Sequence, residues 1–258
     1  MNLQTLIERY VAFRKSLGEV QRSGAAVLRM FGRFIGEGAD IADVRAGRVD
    51  AFLAAAGSTR TWHTKFGVLR QFYRYAVSRG HVAATPLPTV IPKRPPPFVP
   101  YIFSPDDLRR LLQAADTNPR RQLCLDPLTV RTILLLLYGA GLRVREAVDL
   151  DRGDVDLADS LLTVRQTKFG KTRLVPVGPP LALALARYAE RAAIPGPGAP
   201  FFTTRAGGRV NVGTLQNHFR FLRRHAGVAR SDGASYQPRI HDLRHNAASR
   251  IMPTVFAR

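Results

Sequence analysis

Residues 139–146 read Gly-Ala-Gly-Leu-Arg-Val-Arg-Glu and directly follow a strongly apolar segment, Val130 to Tyr138. The apolar segment predicts a buried helix, and the glycines predict a turn into a second helix from Arg143 to Leu150. Arg143 is therefore expected at a turn, not in the middle of a solvated helix face. A planar guanidinium in such a position is suited to bind a phosphate.

Two further basic clusters follow along the chain. The first, Thr167-Lys168-Phe169-Gly170-Lys171-Thr172-Arg173, lies between the β-prone segments Leu161 to Arg165 and Arg173 to Val177, which predict a hairpin. The second, His241-Asp242-Leu243-Arg244-His245, opens a helix predicted to run to about Ile251. Each cluster alone is a weak signal, because lysines in a hairpin commonly serve solubility. Their order and spacing carry the information.

The N-terminal part of the chain shows helical periodicity. Apolar residues at three- and four-residue steps predict four helices before Gly80. They run from residue 3 to a stop at Gly18, through Val27 to Ile35, from Asp40 to Ala56 and from Thr61 to Ser78. On this spacing, the aromatic residues of the fourth helix are expected in the core and not as platforms for stacked bases.

A proline-rich segment separates this helical unit from the rest. Seven prolines lie between Thr85 and Pro100, and proline restricts both its own backbone and that of the residue before it. We therefore expect three parts: a helical domain at 1–84, an extended linker at 85–100 and a second domain at 101–258, whose first helix is capped by Ser104. The fold class expected is mainly α with a small antiparallel β-hairpin.

Composition limits the partners. The 258 residues contain 39 Lys and Arg against 19 Asp and Glu, a formal net charge of +20. Nucleic acid is a suitable partner for this excess, because cations that neutralise phosphates release bound counterions and so favour binding. No apolar run reaches the ~18 residues of a membrane span. Cys124 is the only cysteine, which excludes an internal disulfide and indicates a reducing, cytoplasmic compartment.

Together, the three clusters resemble the catalytic domain of the tyrosine recombinases, the phage-integrase family. That family carries an Arg in a Gly-Leu-Arg-x-x-Glu turn, a Lys in a β-hairpin and a His-x-Leu-Arg-His box. The basic N-terminal helical unit and the linker look like the family's core-binding domain, which closes around duplex DNA together with the catalytic domain. The resemblance thus covers nearly the whole chain and implies DNA recombination or integration, as in mobile elements.

The resemblance also implies roles for individual residues. Arg143 and Arg244 would hold the scissile phosphate, and Lys168 would protonate the leaving 5′ oxygen, with Lys171 as the rival for that role. His241 would assist proton transfer. Glu146 would orient Arg143, although an ordinary helix ion pair explains it equally well, and His245 is a supporting residue. No metal or other cofactor is expected, because arginines replace the cations of a two-metal nuclease.

One part of the family pattern is missing. The family's nucleophile is a tyrosine well after the box, but all seven tyrosines here precede it: Tyr10, Tyr73, Tyr75, Tyr101, Tyr138, Tyr188 and Tyr236. The final residues, 252–258, do not resemble the family either. The sequence therefore predicts a C-terminally truncated member that has no nucleophile and is inactive alone.

Three functions could explain this pattern. The first is a recombinase by descent that keeps its DNA-binding half and its phosphate-binding residues. The second is a non-catalytic DNA-binding protein, an accessory partner or competitor of a complete recombinase. The third, a metal-dependent nuclease, is disfavoured because the sequence shows no clustered carboxylates or His/Cys ligand set. The family's homotetramers on DNA imply the same assembly here, but its docking tail would lie beyond residue 258.

Overall fold

The structure is a computed structural model that describes residues 1–18, 22–117, 124–165, 171–192, 196–234 and 236–246. Its internal contacts divide the chain into two compact units, Met1–Phe98 and Val99–Arg258. The division falls inside the proline-rich segment. In the described residues the chain is mainly helical with one small antiparallel sheet, which confirms the expected fold class.

The first unit consists of four α-helices in its described residues. They are α1 (Leu3–Ser16), α2 (Arg22–Ile35), α3 (Ala46–Ala54) and α4 (Thr59–Ser78). Helix α1 begins after Asn2, whose side chain caps the amide of Thr5, and Gly18 follows its end with φ 77°. Phe66, Phe72 and Tyr73 of α4 are buried in the core, as predicted, whereas Trp62 and Tyr75 of the same helix are only partly buried against it.

The helix expected from Asp40 to Ala56 is wrong in its first part. A 3-10 helix occupies Ile41–Asp43, and α3 begins only at Ala46. The Asp40 side chain accepts a hydrogen bond from the amide of Ala42 at 2.9 Å, which offers the backbone an alternative to α-helix. Val44 and Arg45 then adopt extended backbone angles, and Val44 is buried. Local capping and burial therefore interrupt the helical pattern.

The second unit packs helices around one central helix. Its described helices are α5 (Pro105–Asp116), α6 (Pro127–Ala140), α7 (Val144–Val148), α8 (Pro179–Ala192) and α9 (Val212–His225). Ser104 caps α5 in a capping box with Asp107, as expected from sequence. Helix α6 is buried on most sides, and its residues Ile133, Leu134 and Leu137 have no exposed surface. This core supports the turns that carry the basic clusters.

The sheet of the second unit has the strand order β1-β2-β3 and is antiparallel throughout. Its strands are β1 (Val155–Asp156), β2 (Leu161–Val164) and β3 (Arg173–Pro176). The predicted hairpin is confirmed in the pairing of β2 with β3, where Val164 lies opposite Arg173. Strand β1 was not predicted from sequence. The hairpin tip, residues 166–170, lies outside the described residues.

Two helix boundaries near the basic clusters differ from expectation. Helix α7 spans Val144–Val148 and not Arg143 to Leu150, because Arg143 has an extended backbone and acts as the N-cap residue. The box residues Ile240–Asp242 form a 3-10 helix, and α-helix begins only at residue 243. The continuation of that helix towards Ile251 lies outside the described residues beyond 246.

Candidate phosphate-binding site

The turn that carries Arg143 is shaped by a glycine and a buried leucine. Gly141 ends α6 in the left-handed conformation, with φ 64° and ψ 25°, which a residue with a Cβ adopts at a cost. Leu142 is completely buried and holds the turn against the core. Arg143 follows with its side chain 46% exposed. The local sequence thus presents a half-exposed guanidinium from a firmly packed backbone.

Glu146 binds Arg143 twice. The backbone amide of Arg143 donates to Oε2 of Glu146 at 2.9 Å, and its Nη1 donates to Oε1 at 2.7 Å. The Glu146 side chain is only 9% exposed. An orienting role for Glu146 and an ordinary helix ion pair both predict these contacts.

A second arginine, Arg173, binds the same carboxylate from strand β3. Its Nη2 lies 2.8 Å from Oε2 of Glu146, and its Nη1 lies 3.2 Å from Oε1. Burial alone would raise the pKa of Glu146, but hydrogen bonds from Arg173 and then from Arg143 outweigh it and lower the pKa to about 2. The carboxylate is therefore ionised throughout the neutral range.

Arg244 belongs to the same cluster. It follows Leu243, which is completely buried, so its backbone is anchored in the same way as that of Arg143. The pKa of Arg244 is lowered, first by burial and then by the positive charge of Arg143 and the more weakly felt charge of Arg173, while Glu146 opposes these effects. Arg143 and Arg173 thus bind the Glu146 carboxylate directly, and Arg244 lies near enough to be affected by the charges of all three. The local charge favours an added anion.

His241 and His245 lie beside this arginine cluster. Their ring centroids are 6.0 Å apart, with the ring planes almost perpendicular. The pKa of His241 is lowered by partial burial and by the nearby charges of Arg244, His245 and Arg239, with Asp242 acting in the opposite direction. His241 is therefore neutral at pH 7, a state in which one ring nitrogen can accept a proton.

The backbone of the box is held by buried side chains. Asp242 has no exposed surface and accepts hydrogen bonds at 2.9 Å from both the amide and Nη2 of Arg239. Asn246 is also buried, and its amide pairs with the backbone of Phe103. These contacts fix the segment from which His241 and Arg244 project.

The structure thus brings together Arg143, Glu146, Arg244, His241 and His245 among the residues predicted from sequence. Lys168 lies outside the described residues, and Lys171 is exposed two residues before β3. Sequence reasoning missed Arg173 and Asn246 as site residues. In the sequence Arg173 is only one cation of the hairpin, and its pairing with Glu146 joins positions too distant for a local pattern to reveal.

The described residues show neither of two other features. Across the described ranges, no group of three or more His, Cys, Asp or Glu side chains is arranged to hold a metal ion. Among the helices of those same ranges, none combines the length and the apolar character needed to cross a membrane.

Comparison with known proteins assigns the chain to one class. The chain belongs to the phage integrase family, the tyrosine recombinases, whose family model matches residues 102–255.

Individual relatives extend the similarity over most of the chain. The Sinorhizobium fredii protein "Putative integrase/recombinase y4rE" is 39% identical over 247 residues, which cover 94% of this chain and 78% of that protein. Tyrosine recombinase XerD of Mycobacterium leprae is 32% identical over 81% of this chain and 66% of its own length. A solved structure of a lambda integrase tetramer bound to a Holliday junction shares the fold, with a TM-score of 0.70 at 20% identity, covering 96% of this chain and 72% of that one.

Proposed function

We propose that this chain binds duplex DNA and holds one backbone phosphate between Arg143 and Arg244. The observation that carries the proposal is the cluster in which Arg143 and Arg173 bind the Glu146 carboxylate and Arg244 lies near enough to be affected by their charges. Guanidinium groups match the geometry of two non-bridging phosphate oxygens, and a pair stabilises the extra negative charge of a pentavalent transition state. The function is that of a tyrosine recombinase site.

His241 completes this phosphate site in the proposal. Its lowered pKa keeps the imidazole neutral at pH 7, so it can hydrogen-bond a phosphate oxygen or accept the proton of an attacking hydroxyl. His245, 6.0 Å from it between ring centroids, supports its orientation. Lys168 is proposed as the general acid that protonates the leaving 5′ oxygen, and Lys171 as its alternative. In the sequence, Lys168 lies within residues 166–170, between β2 and β3, and Lys171 directly follows them.

The N-terminal unit is proposed to supply further phosphate contacts. A cleft of about 330 Å³ opens in this unit between the start of α4 and the proline-rich segment. Arg60, Arg94 and His63 are among its lining residues, and the two arginines give it a cationic wall. We assign residues 1–84 as the core-binding domain, 85–100 as the linker and 101–258 as the catalytic domain, and we propose that the chain is a cytoplasmic protein.

A polypeptide of these 258 residues is proposed to bind DNA without attacking it. The tyrosine nearest to the box in sequence is Tyr236, which precedes it, and its hydroxyl is engaged with the backbone of Val99. The family's covalent step requires a tyrosine hydroxyl after the box. Under this proposal these 258 residues bind DNA but do not by themselves carry out the covalent step. The second candidate function, an accessory partner or competitor of a complete recombinase, is favoured by the same observation.

Assembly on DNA is proposed by analogy with the tetramer of lambda integrase on a Holliday junction. A homo-oligomer would bring several phosphate sites onto paired duplexes. Sedimentation of the 258-residue chain with and without a four-way DNA junction tests this point, with a junction-dependent rise in mass expected.

The binding proposal is tested by fluorescence anisotropy with a labelled 30-base-pair duplex over a range of salt concentrations. We expect a steep salt dependence for the unmodified chain, and Arg143→Gln or Arg244→Gln should each weaken binding and reduce the salt slope by about 1. Arg131→Gln is the matched control. Arg131 is 36% exposed and pairs with Asp116 at 2.7 Å. It lies nine residues, or ~13 Å along the helix, before Ala140, the last residue of α6, and is thus remote from the turn that carries Arg143.

The proposed absence of covalent attachment to DNA is tested with a nicked suicide duplex followed by denaturing electrophoresis. Binding without a protein–DNA adduct is the expected result. An adduct would contradict the proposed inactivity, and equal losses in Arg143→Gln and Arg131→Gln would contradict the proposed phosphate site. Adding a complete recombinase with its own recombination site then measures competition or assistance.

A further inference from the structure

The carboxylate of Glu146 is fully occupied by two arginines. Oε1 accepts Nη1 of Arg143 at 2.7 Å and Nη1 of Arg173 at 3.2 Å, while Oε2 accepts the backbone amide of Arg143 at 2.9 Å and Nη2 of Arg173 at 2.8 Å. Two carboxylate oxygens offer about four acceptor sites. Glu146 therefore has no acceptor left for a substrate proton, and its role is to hold guanidinium groups.

Arg173 and Glu146 form a bidentate salt bridge. Both terminal nitrogens of one guanidinium face both oxygens of one carboxylate, which fixes orientation as well as distance. The Arg173 side chain is 37% exposed, whereas that of Glu146 is 9% exposed, so the pair lies at the edge of the core. Arg173 also makes the largest pKa-lowering contribution at Glu146, ahead of both contacts from Arg143.

Arg173 occupies a particular place in the hairpin. It is the first residue of β3 and lies opposite Val164, the last residue of β2. The sequence between these two residues contains Lys168 and Lys171. The contact from Arg173 to Glu146 therefore fastens the base of this hairpin to the N-terminal end of α7, where Arg143 lies.

We propose that Arg173 is a positioning residue that holds Glu146, and through it Arg143, in the orientation that receives the DNA phosphate. The same contact sets the base of the lysine-bearing hairpin at a fixed place relative to Arg143. Arg173 thus acts through Glu146 and is distinct from the groups that touch the phosphate. This inference rests on the proposed function, because it assumes that Arg143 binds a DNA phosphate.

A double-mutant cycle with the full 258-residue chain and the 30-base-pair duplex tests this role. The variants are Arg143→Gln, Arg173→Gln and the double variant, and Arg131→Gln is combined with Arg143→Gln as the control pair. Arg173→Gln is expected to weaken binding about tenfold in the unmodified background and to have little further effect once Arg143 is changed. That coupling, about tenfold, corresponds to ~1.4 kcal/mol. Arg131→Gln should have the same small effect in both backgrounds.

Two further measurements separate positioning from charge and from folding. Arg173→Lys keeps the positive charge but loses the planar guanidinium that binds both carboxylate oxygens. It should therefore restore only part of the DNA affinity that is lost in Arg173→Gln. Carbon-13 NMR of the Glu146 carboxyl should show its pKa rising in Arg173→Gln, since only Arg143 and the charge of Arg244 then oppose burial. Circular dichroism selects variants that are folded.

The outcomes distinguish this inference from the proposed function. If Arg143→Gln costs no more than Arg131→Gln, the proposed phosphate site fails. If Arg143→Gln weakens binding, but Arg173→Gln lowers DNA affinity as much in the Arg143→Gln background as in the unmodified chain, only the positioning role fails. Full rescue by Arg173→Lys, or an unchanged pKa of Glu146 in Arg173→Gln, would also overturn the positioning role.

Discussion

Asn246 pairs with the backbone of Phe103 through two hydrogen bonds, although 143 residues separate them. The amide of Phe103 donates to Oδ1 of Asn246 at 3.2 Å, and Nδ2 of Asn246 donates to the carbonyl of Phe103 at 2.6 Å. Both residues are buried. The pair connects the segment before α5 to the helix turn that carries Arg244, so the proposed phosphate site depends on a contact between distant parts of the second unit.

Replacing Asn246 with alanine should destabilise the second unit by about 2 kcal/mol. The substitution leaves the amide and the carbonyl of Phe103 buried without their partners, and unsatisfied buried groups are costly. Urea unfolding followed by circular dichroism measures the change. Asn217→Ala is the control, because Asn217 is exposed and bonds only to Arg220 on its own helix among the contacts seen here. Equal effects of the two substitutions would contradict the assigned role.

Glu146→Gln should lower stability by about 2 kcal/mol near pH 6, and the difference from the unmodified chain should shrink as the pH falls. The folded pKa of Glu146, about 2, lies below the ordinary value of ~4.3. Its ionised form therefore contributes stability above pH ~4.3, and that contribution is lost as the pH falls towards 2. Urea unfolding at pH 6 and pH 3 measures both differences.

The control for Glu146 is Asp149→Asn. Asp149 pairs with Arg145 at 3.1 Å, but the two side chains are 49% and 81% exposed. An exposed pair contributes less than about 1 kcal/mol. A Glu146→Gln effect of the same size at pH 6 and pH 3 would show that the carboxylate charge does not stabilise the site.

Gly141→Ala should cost about 1 kcal/mol in stability and reduce DNA affinity. The left-handed backbone at Gly141 strains any residue with a Cβ, and relief of that strain would move Arg143, two residues later. Thermal unfolding and anisotropy measure the two effects. Gly67→Ala is the control, since a Cβ at Gly67 meets nothing within 4 Å in helix α4 and alanine is the better helix former. Gly67→Ala should therefore be neutral or stabilising. A neutral Gly141→Ala would refute the strained-turn account.

Tyr236→Phe should loosen the start of the second unit. The Tyr236 hydroxyl accepts from the amide of Val99 at 3.0 Å and donates to its carbonyl at 2.9 Å. Arg230 also donates to that carbonyl. In Tyr236→Phe the Val99 carbonyl therefore keeps a hydrogen-bond partner, whereas the Val99 amide loses the tyrosine hydroxyl. We expect a loss of about 1 kcal/mol and faster hydrogen exchange at the Val99 amide. Tyr188→Phe should leave that amide unchanged. Unaltered hydrogen exchange at the Val99 amide in Tyr236→Phe would argue against a stabilising role for the hydrogen bonds of the Tyr236 hydroxyl.

Local signals in the sequence were sufficient for most helices. The stripe of α1, the cap at Ser104 and the apolar run of α6 each depend on neighbours within a few turns, and the structure confirms them. The interruption after Asp40 was missed, because the capping hydrogen bond to Ala42 competes with helix without disturbing the apolar spacing. The two-residue strand β1 is too short to produce an alternating pattern.

The site was only partly accessible from sequence. The clustering of Arg143 and Arg244 followed from the family resemblance and not from spacing, since 101 residues separate them. Arg173 and Asn246 were missed because their partners, Glu146 and Phe103, are distant in sequence, and only packing of the second unit brings each pair together. Buried, reciprocally bonded side chains of this kind become visible only in three dimensions.

The most direct test of the phosphate site is an experimental structure of the 258-residue chain bound to duplex DNA. The account predicts one backbone phosphate whose non-bridging oxygens lie within hydrogen-bonding distance of Arg143 and Arg244, with His241 beside it and Glu146 still bound to both Arg143 and Arg173. A complex in which the DNA contacts another surface, and no phosphate approaches Arg143 or Arg244, would contradict it.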